Sequence, residues 1–188
     1  MKYSEIYTPE FLKMLADKAN ISTDNFTAQI DLEAIEGDGG KVDIEFLAKI
    51  LKLDIIYENM PNGSGGIVDH QITVDETESI ERQRFTIGHE IGHFVLGDTE
   101  AARKDSSAGY SRTEMEHEKI ANAVSAELLM PKKLVLNNVS FAIRQFELDE
   151  DALSNDQVAL IIDSVAKKMQ VSAQALTYRV KNLQLFTD

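Results

Sequence analysis

Residues 89–93 read His89-Glu90-Ile91-Gly92-His93, the stretch of this chain with the clearest capacity for chemistry. In an α-helix each residue turns about 100°, so side chains four apart stand nearly above one another. His89 and His93 can therefore offer two imidazole nitrogens to one metal ion. Glu90 sits one step round the same helix, within reach of an open coordination position. There a carboxylate can take a proton from water and pass it to a leaving amine. The donor types point to zinc, which accepts nitrogen and oxygen ligands tetrahedrally and has no redox chemistry. Manganese, iron and cobalt are the alternatives that the same donors admit.

The plainer reading is a helix with two surface histidines and a salt-bridging glutamate, and the neighbouring residues weigh against it. Gly88 and Gly92 are also four apart. Each costs about 1 kcal/mol relative to alanine inside a helix, so the pair suggests that another backbone approaches there. Phe85, Ile91, Phe94 and Val95 supply an apolar side. Ionisable groups beside such a wall need partners, and a metal is the simplest common one.

A catalytic zinc takes three protein ligands and leaves one position open. The chain has no cysteine, so the third ligand is His, Asp or Glu. Ser111-Arg112-Thr113-Glu114 reads as a capping box that opens a helix running to about Met130, where Pro131 stops it. This helix offers Glu114, Glu116, His117 and Glu118. Glu118 is favoured because Asn122 and Ser125 share its face, which continues with Ala121 and Leu129 as a close-packed helix requires. Asn122 could orient a ligating histidine by accepting its free ring N–H. His117 is the rival ligand; it otherwise reads as a solvent-facing residue or as a group that polarises the substrate carbonyl. Tyr110, His117 and Tyr178 are the candidate oxyanion donors.

The elements that must hold these residues are legible in outline. Thr8 to Asn20 and Val42 to Leu51 read as amphipathic helices, with Pro9 in the first turn of the former. Asp54 to Tyr57, Ile67-Val68 and Gln71 to Val74 read as short strands, separated by the turn-rich Pro61 to Gly66. Gly65 to Val68 could be an edge strand to which a peptide adds. Ser79 to Leu96 is helical, with Gly97 as its C-terminal cap, and residues 98–110 read as a loop. Ser154 to Gln157 is a second capping box, opening a helix to about Met169, and a last helix spans Ser172 to Leu183.

Composition bounds the function. A chain of 188 residues suits one domain: an N-terminal helical extension over 1–40, a core over 41–131 and C-terminal helices over 132–188. The start, MKYSEIYTPEF, has no apolar signal core, and no run of about 18 apolar residues occurs, so the expected compartment is the cytoplasm and no membrane is expected. Formal net charge is −13 with a sequence pI of about 4.7, which repels phosphate backbones, so no direct nucleic-acid contact is expected. The adjacent basic pairs Arg103-Lys104, Lys132-Lys133 and Lys167-Lys168 read as solvated surface.

At this point the chain resembles the ImmA/IrrE family of zinc-dependent metallo-endopeptidases. The resemblance rests on RQRFTIGHEIGHFVLG (Arg82 to Gly97) and EKIANAVSAELLMP (Glu118 to Pro131), two separated motifs in the family's order, and extends over roughly residues 40–185. Val124 stands where the family usually has an aromatic, a packing change. The resemblance implies an α+β, zincin-like fold, with a small mixed sheet beside the active-site helix and further helices around it. It implies that Glu118 corresponds to the third zinc ligand and Glu90 to the catalytic glutamate. It also implies a protein substrate, a helix-turn-helix repressor of a mobile element or stress regulon. Two other classes compete. Val158 to Leu183 has the outline of a helix-turn-helix and carries Arg179 and Lys181, as a DNA-binding regulator would. A metal-binding interaction module without turnover is the other, against which the presence of Glu90 argues.

Overall fold

The computed structural model describes residues 1–33, 35, 40–98, 100–102 and 112–186. The chain is α+β. In order, the described elements are α1 (Tyr3–Ile6), α2 (Pro9–Ala19), α3 (Thr23–Ile30), α4 (Ile44–Ile50), β1 (Asp54–Glu58), β2 (Gly65–Val68), β3 (Gln71–Asp75), α5 (Ile80–Leu96), β4 (Glu100–Ala102), α6 (Arg112–Leu129), α7 (Lys132–Gln145), α8 (Asn155–Met169) and α9 (Ala173–Asn182).

The strands form one mixed sheet in the order β1-β3-β2-β4. β1 runs parallel to β3, with Asp54 opposite Gln71, and β2 pairs antiparallel with both β3 and β4. β2 is therefore interior to the sheet, and the expectation that Gly65 to Val68 is an edge strand is corrected. Its second partner, β4, falls in the segment 98–110 that reads as loop. The three residues Glu100-Ala101-Ala102 carry no hydrophobic alternation, and only pairing with β2 makes them a strand. Alternate side chains of a strand share a face; Ile72 and Val74 of β3, joined by Ile67 of β2, are completely buried against α5.

The helix α5 is delimited by its own caps. Ser79 accepts a hydrogen bond from the Arg82 N–H, and Gly97 takes a left-handed φ of 87°. Ile87 and Ile91 are 0% exposed, so α5 is a core helix between sheet and α6. The α5–α6 contact is the most extensive between described elements. The helices run antiparallel. A Cβ added at Gly88 would lie 2.6 Å from Ser125 Oγ, and one at Gly92 would lie 2.6 Å from Ala121 Cα and 2.8 Å from its carbonyl oxygen. The two glycines four apart thus form the bare strip along which the α6 backbone approaches.

Further helices surround this pair. Pro131 ends α6 and serves as the N-cap position of α7, a helix absent from the element outline above although Leu134, Val135, Val139, Ala142 and Ile143 recur at helical spacing. The Ser154 capping box is present: the Ser154 hydroxyl accepts from Gln157 N–H and the Gln157 side chain accepts from Ser154 N–H. The box at Ser111 and the pair Arg103-Lys104 lie outside the described residues. Lys132 and Lys133 are exposed, while the Lys168 ammonium sits 3.6 Å from the centre of the Phe141 ring. Arg84 crosses between layers, donating from Nη2 to Val42 O at 2.8 Å and from Nε to Gln170 O at 3.1 Å. No described helix is long and apolar enough to cross a membrane.

Candidate metal centre

His89 and His93 stand one turn apart on α5, and the α5–α6 packing brings Glu118 opposite them. The two Nε2 atoms are 3.1 Å apart. Glu118 Oε2 lies 3.3 Å from His89 Nε2, and Glu118 Oε1 lies 3.3 Å from His93 Nε2. Among the described residues these three form a group able to hold a metal ion, and no other group of three His, Cys, Asp or Glu converges in this way.

The donor chemistry fits a cation. His89 Nδ1 faces Asn122 Oδ1 at 3.0 Å, and His93 Nδ1 faces Asp98 Oδ2 at 3.0 Å. Both partners are acceptors, so each ring carries its proton on Nδ1 and turns an Nε2 lone pair inward. Two lone pairs and a carboxylate aimed at one point repel unless positive charge lies among them. The two ring nitrogens are 3.1 Å apart and each lies 3.3 Å from a different oxygen of the Glu118 carboxylate, so that one cation set among them is within reach of all three side chains.

Burial grades across the cluster. His89 and Glu90 are 0% exposed and His93 is 3% exposed. The Glu118 side chain is 22% exposed, so solvent reaches the group from the α6 side. Glu90 follows His89 on the same helix, and its carboxylate is shielded from bulk water. Ser125 reinforces the helix contact by donating to Phe85 O at 3.0 Å.

Asp98 is a residue that the motif reading missed. It follows the cap glycine, and its backbone N–H donates to His93 O at 3.0 Å. This folds its carboxylate back over the last turn of α5. The same Oδ2 lies 3.0 Å from His93 Nδ1 and 3.0 Å from His117 Nδ1. An acidic residue directly after a C-terminal cap glycine, five residues beyond a histidine, was the available signal. His117 thus sits beside the group through Asp98 rather than within it. Tyr178 lies on α9 and is 63% exposed. Tyr110 lies outside the described residues.

A histidine pair at helical spacing beneath a small mixed sheet, faced by a glutamate from the next long helix, defines a zincin-like metal-dependent hydrolase. Over residues 48–181 the chain matches the family model Peptidase_M78, described as the IrrE N-terminal-like domain. The chain belongs to that family, and the protein is a metallopeptidase acting on peptide bonds in protein substrates. No curated protein matches the chain.

Proposed function

We propose that the protein is a zinc-dependent endopeptidase in which His89, His93 and Glu118 are the metal ligands and Glu90 is the general base. The observation that carries this reading is the convergence of two Nε2 atoms 3.1 Å apart, each 3.3 Å from an oxygen of the Glu118 carboxylate. When bound, zinc supplies Lewis acidity that makes water acidic enough to lose a proton near neutral pH. Glu90 accepts that proton from the attacking water and delivers it to the leaving amine nitrogen. Its complete burial keeps the proton transfer out of bulk solvent. Asn122 and Asp98 hold the two rings in the tautomer that presents Nε2. Of the three candidate oxyanion donors, His117 has the most support, because it shares the Asp98 carboxylate with His93.

The proposed substrate is a helix-turn-helix repressor cut in the cytoplasm, a reading supported by the family resemblance and by the absence of any membrane-crossing helix among the described residues. DNA binding by the α8–α9 hairpin is the weaker reading. Arg179, one of the two basic residues of α9, pairs with Glu127 and donates to Met130 O at 2.8 Å, so it serves helix packing.

The test compares the zinc-loaded parent with Glu90→Gln on repressors encoded beside the gene. Loss of a general base lowers the rate about 10²–10⁴-fold, with metal content unchanged. Equal cleavage by both proteins would refute the role of Glu90 and leave a metal-binding module.

A further inference from the structure

A cleft of about 700 Å³ opens between the N-terminal half of α5, the C-terminal half of α6 and the α8–α9 hairpin. Its volume lies within the range of cavities that hold ligands, about 300–1,000 Å³. The floor is apolar: Phe85, Ala126, Leu129, Met130, Val171 and Ala175. The charged residues of its wall are of both signs, with Glu81 and Asp163 against Arg82 and Lys167, so no net charge selects the occupant. Arg179 is already neutralised by Glu127.

This cleft adjoins the metal centre through Asn122, and none of His89, His93 and Glu118 lines it. Glu118, Asn122 and Ala126 follow one another at helical turns on one face of α6, and all three are at least partly accessible. Asn122 both faces His89 and lines the cleft. Phe85 lines it from α5, its ring centre 6.3 Å from that of His89. At 1.5 Å per residue, Asn122 is about 6 Å along the helix from Glu118. An extended peptide advances about 3.3–3.6 Å per residue. A chain whose scissile carbonyl stands at the Glu118 cluster therefore reaches the cleft mouth within two residues.

We propose that this cleft is the specificity pocket of the peptidase and takes a large aliphatic or aromatic side chain of the substrate within two residues of the scissile bond. The proposal rests on the metal-centre reading above. The apolar floor supplies the affinity, since burying a large hydrophobic side chain is worth about 1.5–3 kcal/mol, and no side chain of the floor can pair with a charged one.

The experiment presents the zinc-loaded full chain with a peptide library from a digested proteome and maps cut sites by mass spectrometry. The parent is expected to enrich Leu, Ile, Met or Phe within two positions of the cut. Ala126→Phe, which fills the floor, is expected to lower cutting at those sites about 10–100-fold relative to sites with small residues, with zinc content unchanged. Ala175→Phe fills the floor from α9 and gives the same shift should the first variant fold poorly. A parent without apolar enrichment, or an unchanged preference in both filled variants, would overturn the pocket. Glu90→Gln run alongside separates the two readings: cutting that persists there with the parent's preference refutes the base and leaves the pocket standing.

Discussion

Asp98 Oδ2 stands 3.0 Å from His93 Nδ1, held there because the Gly97 cap returns the chain over the last turn of α5. The carboxylate fixes the ring's proton on the outer nitrogen and keeps Nε2 aimed at Glu118. Removing such a partner of a ligating histidine costs about 10–100-fold in metal affinity. Asp98→Ala is therefore expected to weaken zinc binding by that factor in a competition titration with a chromogenic chelator. Asp98→Asn, which keeps an acceptor oxygen, is expected to lose less. Affinity equal to the parent in both variants would show that His93 is oriented by other groups.

Zinc is expected to stabilise the parent and to leave Glu118→Ala and His89→Ala unchanged. A metal at a hundred times its dissociation constant contributes about 2.7 kcal/mol, several degrees of melting temperature for a chain of this length. Thermal unfolding with and without added zinc reads the difference. A zinc-induced rise in Glu118→Ala as large as the parent's would remove Glu118 from the ligand set.

Gly92→Ala sets two effects of opposite sign against each other. Alanine improves helix propensity by about 1 kcal/mol. The new methyl, however, would meet Ala121 Cα at 2.6 Å and Ala121 O at 2.8 Å, backbone atoms that cannot rotate aside. Overpacking costs typically about 1–3 kcal/mol, so the variant is expected to be destabilised in urea titration. Because the shift separates α5 from α6, zinc affinity is expected to fall with it. A more stable variant would mean that the helices separate freely.

Asp75 gives a pH signature away from the metal centre. Its Oδ1 accepts from Thr77 N–H at 3.0 Å and from the Thr77 hydroxyl at 2.8 Å. These hydrogen bonds hold its carboxyl below the usual carboxylate range. A group whose folded pKa is depressed stabilises the fold above its unfolded pKa, near 4, and that contribution disappears as pH falls through the folded value. Urea midpoints of the parent and Asp75→Asn are expected to differ at pH 7 and to converge as pH falls through the folded value. A difference that persists unchanged in acid would assign the effect to packing.

Much of the centre is legible in the chain because an α-helix has a fixed period. A step of four positions from His89 to His93, and from Glu118 to Asn122, places each pair on one face whatever surrounds them. Gly88 and Gly92 announce a close helix approach by the same period, and Ser79, Gly97 and Ser154 mark helix ends through their own side chains and backbone freedom. The outline of α7 was equally present in its apolar spacing. What local period cannot supply is which faces meet. That α6 runs antiparallel to α5, setting Ala121 on Gly92 and Ser125 on Gly88 and so Glu118 across from both rings, follows from backbone-to-backbone packing. That β2 is flanked on both sides depends on a three-residue partner with no pattern of its own. The grip of Asp98 on His93, and the cleft that α9 closes against α6, likewise arise between segments distant along the chain or turned back on themselves. Such contacts are decided by complementary shape and burial across the whole fold, and no single segment encodes them.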